Sequence, residues 1–161
     1  MVFGKIGSPH VPALKMARDW TKAAWGVIGG YHEDDRAQRL LDVFSGWQDG
    51  QLNISYINSV NHVVAWHVHK QQTDLWICIK GSLKVGLAES NDSGGGHTVR
   101  FEYLSDKNFR ILEIPPGVYH GYKALEPDTI LLYYVTRKYD PDDEIRAKVG
   151  DFHEKWDTEN K

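Results

Sequence analysis

His67-Val68-His69-Lys70-Gln71-Gln72-Thr73-Asp74-Leu75-Trp76-Ile77-Cys78-Ile79-Lys80-Gly81 is the stretch that decides the fold. Side chains at i and i+2 of a strand share a face, so His67 and His69 point the same way. A short turn at Lys70 to Thr73 brings Asp74 back on the neighbouring strand, opposite the pair. If Asp74 faces inward, so do Trp76 and Cys78, while Leu75, Ile77 and Ile79 face an outer packing layer. A second segment, Pro115-Pro116-Gly117-Val118-Tyr119-His120, reads as a turn that delivers a third histidine at the start of another strand.

Outward from these segments the chain is a series of short β runs separated by turn residues. Leu40 to Phe44, Leu52 to Ile57, His62 to His69, Leu75 to Ile79, Ser82 to Glu89, Thr98 to Leu104, Arg110 to Ile114 and Ile130 to Thr136 all read as strands. Lys80-Gly81 is a tight turn, and Asn91-Asp92-Ser93-Gly94-Gly95-Gly96 a hairpin loop without the Lys-Ser/Thr of a phosphate-binding P-loop. Many closely spaced strands point to a barrel or jelly roll. Near the N-terminus, Leu14, Ala17 and Trp20 stand at helical spacing after Pro12, which predicts a short helix. After Asp140-Pro141-Asp142-Asp143-Glu144 the charged C-terminus is expected to form a helical tail.

Composition narrows the function classes. At 161 residues the chain is one ordinary domain. A net charge of −3 with scattered basic residues offers no footprint for nucleic acid or an acidic membrane surface. The single cysteine, Cys78, excludes an internal disulfide and a cysteine-rich zinc site. No apolar stretch has bilayer length and no leader pattern is present, so a cytoplasmic location without a membrane partner is expected. Six tryptophans and eight tyrosines suit a small barrel core filled with large rings, some of which could line a pocket.

Taken singly, each histidine is most simply a hydrogen-bonded structural residue, and His10, His32, His62, His97 and His153 stay in that class. The conjunction is different. His-x-His, four residues, a carboxylate, six residues and Gly, then Pro-x-Gly-x-x-His, resembles both cupin motifs. Asp74 stands where Glu is usual, and Ala124 where Asn is frequent. The expected architecture is all-β, a cupin double-stranded β-helix (jelly-roll barrel) spanning 1–161 as a single domain, with its barrel core at about 40–139.

From Asp34 to Asp151 the resemblance is narrower. His67, Gln72-Thr73-Asp74-Leu75-Trp76, Ile114-Pro115-Pro116-Gly117-Val118-Tyr119-His120-Gly121, Leu132-Tyr133 and Tyr139-Asp140-Pro141 resemble the divergent short branch of the dTDP-4-dehydrorhamnose 3,5-epimerase family. That resemblance implies a homodimeric isomerase that takes a nucleotide sugar, a dTDP-4-keto-6-deoxyhexose, without a cofactor. It makes His67 the general base and Tyr133 the acid on the opposite face of the ring, with His120 and Asp74 supporting. Abstracting a proton α to a ketone needs a near-neutral base and a stabilised enolate, which imidazole chemistry suits.

Two alternatives stand beside this reading. The resemblance implies a phosphate-contacting arginine where Val64 stands and a keto-polarising lysine where Asp74 stands. An anion beside a developing enolate opposes catalysis, and a divalent metal would restore the sign. His67, His69, Asp74 and His120 would then be ligands to zinc, iron, manganese or nickel in a metal-dependent sugar isomerase or oxygenase. The other alternative is a non-catalytic cupin whose polar pocket only binds a small molecule.

Overall fold

The computed structural model describes residues 21–157 apart from 27, 48, 92 and 93. Twelve strands form among them: β1 (Ala24–Gly26), β2 (Gly30–Glu33), β3 (Gln38–Leu41), β4 (Gln51–Ile57), β5 (Val63–His69), β6 (Asp74–Lys80), β7 (Ser82–Ser90), β8 (His97–Ser105), β9 (Ile111–Ile114), β10 (Tyr119–Ala124), β11 (Thr129–Val135) and β12 (Glu144–Arg146). They build two five-stranded antiparallel sheets, in the orders β1-β9-β6-β11-β4 and β12-β5-β10-β7-β8, and a small β2-β3 ribbon. This is the expected all-β jelly roll.

Alternation along the strands places the core. Trp76, Cys78, Leu83, Val85, Leu87, Leu104, Leu112, Ile114, Val118 and Leu131 meet between the two sheets. Leu75, Ile77 and Ile111 leave the first sheet on its other face, where Leu40, Phe44 and Trp47 cover them. Trp66 and Ala88 leave the second sheet outward and are sealed by Trp156 and Phe152. The period of two thus puts Asp74, Trp76 and Cys78 in the lumen and Leu75 and Ile77 outside, as the sequence predicts. Each fully buried aliphatic side chain, such as Ile77 or Leu87, contributes about 1.5–3 kcal/mol relative to exposure.

Turn chemistry sets the register. At the Lys80–Gly81 corner Gly81 has φ +76°, and a Cβ there would lie 2.4 Å from Thr129 Oγ1. Only glycine fits such a corner without strain. Its N–H donates to Asp106 Oδ2 at 2.8 Å, which ties the start of β7 to the end of β8.

The expected helical tail is absent: no helix occurs among the described residues, and the segment after Asp143 is β12 followed by turns. Two physical reasons apply. Glu144, Ile145 and Arg146 find backbone partners on the free edge of β5, pairing with His69, Val68 and His67. Beyond them, Gly150 and His153 take positive φ, which interrupts helical hydrogen bonding. The tail is pinned by side chains instead. Glu154 Oε1 accepts from the indoles of Trp66 (2.9 Å) and Trp156 (3.2 Å), and Lys84 Nζ donates to the carbonyls of Lys155 and Asp157. The helix expected around Pro12 to Trp20 lies outside the described residues. No helix in the described residues is long and apolar enough to cross a membrane.

Candidate functional site

The histidine pair stands on β5, and β10 delivers its partner. His120 is the Cα partner of His67 in the β10–β5 ladder, so both rings project from one face, their centroids 4.1 Å apart. His69, two residues along, lies with its ring 5.7 Å from His120. The Pro115–Gly117 turn is held against the same strand: Gly117, at φ +85°, donates its N–H to the His69 carbonyl at 2.8 Å. Asp74 opens β6 on the facing sheet, and its carboxylate closes the group. Oδ1 lies 3.9 Å from His69 Nε2, and Oδ2 lies 3.6 Å from His120 Nε2. One donor atom from each of His67, His69, Asp74 and His120 lies within 4.8 Å of every other.

Surrounding groups orient each member. His120 is almost fully buried, and its Nδ1 is 2.9 Å from the Val118 carbonyl. A carbonyl only accepts, so Nδ1 carries a proton and Nε2 faces the cluster, where it has no hydrogen-bond partner. Asp74 accepts from Gln72 Nε2 at 2.7 Å and from the Trp76 indole at 3.1 Å. His69 is held on both sides, by Gln72 Nε2 at 3.2 Å from its Nε2 and by Asp143 Oδ2 at 3.4 Å from its Nδ1. The His67 ring has no hydrogen-bond partner among the described residues.

Burial dominates the electrostatics. Desolvation pushes the His67 imidazole down from 6.5 to about 2, with the neighbouring charge of His120 adding to the effect and Asp74 opposing it. His69 is likewise lowered by burial, against the pull of Asp74. For Asp74 burial works upward, but the adjacent imidazoles of His120 and His69 and the Gln72 amide outweigh it and hold the carboxyl at about 2. Near neutral pH the site therefore presents a neutral His67, a neutral His69 and an anionic Asp74.

Tyr133 is placed in the same lumen but not against the histidines. On β11 it is the cross-strand partner of Trp76 and packs into the core beside Tyr122. Trp76 forms the floor between the two groups, 6.4 Å ring to ring from His67 and 5.7 Å from Tyr122. Cys78 is shielded: its thiol donates to the carbonyls of Lys80 and Gly81, and burial pushes it up to about 11, so it is no nucleophile.

Sequence reasoning missed Asp143 and the part played by Gln72. Asp143 sits in the run read as the lead into a tail. The detectable signal was an aspartate at the end of the Asp140–Asp143 turn, directly before a short segment, Glu144-Ile145-Arg146, whose one apolar residue between two charged ones can add to a sheet edge.

Comparison with known proteins agrees with this fold. The family model described as dTDP-4-dehydrorhamnose 3,5-epimerase matches residues 26–159. The spore coat polysaccharide biosynthesis protein SpsL of Bacillus subtilis is 32% identical over 140 residues, which cover 80% of this chain and 85% of that protein. Among solved structures, the dTDP-4-dehydrorhamnose 3,5-epimerase of Bacillus anthracis, with TDP and PPi bound, superposes with a TM-score of 0.70 at 23% identity, covering 90% of each chain. A histidine-to-asparagine mutant of the 3,4-ketoisomerase QdtA of Thermoanaerobacterium thermosaccharolyticum, in complex with TDP-4-keto-6-deoxyglucose, gives a TM-score of 0.65 at 19% identity, covering 78% of this chain and 88% of that one.

Proposed function

The chain belongs to the dTDP-4-dehydrorhamnose 3,5-epimerase family of nucleotide-sugar epimerases and isomerases, and on that premise we propose that His67 abstracts a proton α to the ketone of a dTDP-4-keto-6-deoxyhexose. One observation carries the assignment of the base. Of the three clustered histidines, His67 is the one whose imidazole is untethered by any hydrogen bond to the described residues and partly exposed, whereas the unpartnered His120 Nε2 is buried; desolvation keeps the His67 ring neutral. A neutral ring with an uncommitted lone pair is able to accept a proton, although the burial that keeps it neutral also makes it a weaker base than free imidazole. The C–H pair of electrons moves into the carbonyl to give an enolate, and the proton passes to a His67 nitrogen. His120 lies beside the acceptor with Asp74 behind it, and the Asp74 carboxylate supports the positive charge that develops on the His67 ring. Tyr133 returns a proton from the opposite face, so the step needs no redox cofactor.

The experiment is product analysis by NMR after incubation with the dTDP-ketosugar. An epimerised or isomerised sugar is expected from the wild type and none from His67→Gln. Unchanged substrate with the wild type, alongside ligand-induced thermal stabilisation, would move the protein to the binding-module class. The homodimer and cytoplasmic setting expected from sequence belong to this reading as well. The exposed Leu52, Ile54 and Tyr56 on edge strand β4 offer a face for the second subunit, to be checked by light scattering.

A second reading rests on the cluster itself. Three imidazoles and a carboxylate with mutually close donor atoms fit a divalent transition metal, and the unpartnered, buried His120 Nε2 is the form of a ligand. His67, His69, Asp74 and His120 would hold the ion, which would supply Lewis-acid stabilisation of an enolate. Its occupancy requires the Gln72 amide to withdraw from between His69 and Asp74. Elemental analysis of untagged protein distinguishes the two: near-stoichiometric metal favours this reading and removes His67 as a free base.

A further inference from the structure

The groups around His69 determine which of its nitrogens bears the proton. A carboxylate oxygen only accepts, so the Gln72 side-chain atom 2.7 Å from Asp74 Oδ1 is the amide nitrogen. The same nitrogen stands 3.2 Å from His69 Nε2, toward which it turns its second hydrogen. His69 Nε2 is therefore an acceptor, and the ring proton resides on Nδ1. That nitrogen faces Asp143 Oδ2 at 3.4 Å. Asp143 is 7% exposed and rigidly placed. Its carbonyl accepts from the Lys70 N–H at 3.1 Å, its own N–H donates to Asp140 at 3.1 Å, and its Oδ2 also accepts from the Gln72 backbone N–H at 3.3 Å. The contact is not yet a hydrogen bond, and a small turn of the imidazole that aims Nδ1–H at Oδ2 completes it.

We infer that Asp143 is a positioning residue that, together with Gln72, locks His69 in its Nδ1–H tautomer and so reserves proton acceptance for His67. The relay runs from the β11–β12 connection through His69 and Gln72 to Asp74: His69 Nε2 takes the Gln72 amide, and Nδ1, which has no other partner, faces the Asp143 carboxylate. The His67 ring on the same face is left as the partly exposed acceptor, the other unpartnered nitrogen, His120 Nε2, being buried. The tautomer follows from hydrogen-bond geometry alone. The reservation of His67 rests on the proposed ketosugar chemistry.

The test uses the full chain labelled with 15N-histidine, with long-range 1H–15N NMR correlations of the imidazoles and His69→Gln as the assignment control. The wild type is expected to show His69 as Nδ1–H, and Asp143→Ala to move it to a mixture or to Nε2–H. Asp143→Asn, which keeps the volume and one acceptor, is expected to fall between them, and serves if the alanine variant folds poorly. Deuterium exchange into the dTDP-ketosugar should lose roughly tenfold or more in kcat with KM within about twofold, as for other groups that orient a site histidine without touching substrate. Asp143→Glu should recover part of that loss. A wild-type His69 protonated on Nε2, or a tautomer unmoved by Asp143→Ala, overturns the inference. A tautomer that moves without loss of exchange overturns its second half. A tautomer that moves in a protein whose wild type never exchanges the ketosugar supports the positioning role and defeats the proposed reaction instead.

Discussion

Replacing His67 by glutamine should flatten the acid side of the stability profile. In the unfolded chain this imidazole takes up a proton near its ordinary 6.5, whereas in the fold burial defers uptake to about 2. Between those values the unfolded state binds one more proton than the native state, so stability is complete above about pH 6.5 and falls as the pH drops. The slope is 2.303RT for each such proton, about 1.4 kcal/mol per pH unit. His69, also lowered by burial, adds to that slope in the wild type. Removing His67 takes away one proton's share, so between about pH 5.5 and pH 4 the wild type should lose about 2 kcal/mol more than His67→Gln. Asp74 contributes equally to both proteins, and only at lower pH, because its depressed carboxyl is lost between its ordinary 3.8 and about 2. Urea titrations at half-unit pH steps measure the difference directly as ΔG of unfolding at each pH. Parallel profiles would mean that His67 is charged and solvated in the native state, and the argument for a neutral acceptor would fail.

Other outcomes follow from particular contacts. A Cβ at Gly86 would lie 2.6 Å from Trp66 Cη2 and 2.7 Å from Trp156 Cη2, so Gly86→Ala must displace the ring that anchors the tail. It should destabilise by about 1–3 kcal/mol in a thermal melt, and by less if Trp156 is first removed. Cys78 should resist thiol reagents in the native protein and label fully in denaturant, since it is buried and its thiol is pushed up to about 11. Tyr133→Phe should lower product formation by roughly 10²-fold or more while proton loss to His67 continues, a split visible when exchange and product are followed together. Equal effects on both would remove Tyr133 from the role of acid.

Much of this architecture was legible because two periodicities were strong. The alternation in Asp74 to Cys78 fixed which side chains entered the lumen, and His-x-His with its following carboxylate and Pro-x-Gly-x-x-His located all four clustered donors, His67, His69, Asp74 and His120. Strands β4 to β9 and β11 fell within a residue or two of the expected bounds. The short elements were harder to read. Ala24–Gly26 and Glu144–Arg146 are three residues each and exist because a neighbouring strand offers a free edge, which no local pattern encodes. The same non-local cause hid Asp143. Its carboxylate matters only after β12 docks on β5 and swings the Asp140–Asp143 turn beneath His69. The charged C-terminus reads as helical by composition, yet it runs through turns, held by Glu154, which accepts from the Trp66 and Trp156 indoles, and by the Lys84 ammonium.

The decisive measurement is deuterium wash-in to a dTDP-4-keto-6-deoxyhexose in D2O, followed by 1H NMR with chelator-treated wild type and with His67→Gln. Loss of the proton signal α to the ketone is expected with the chelated wild type, slowed by roughly 10²-fold or more in the variant. Exchange that disappears on chelation and returns with a divalent metal, or that proceeds equally well without His67, would contradict the account of His67 as a metal-free base.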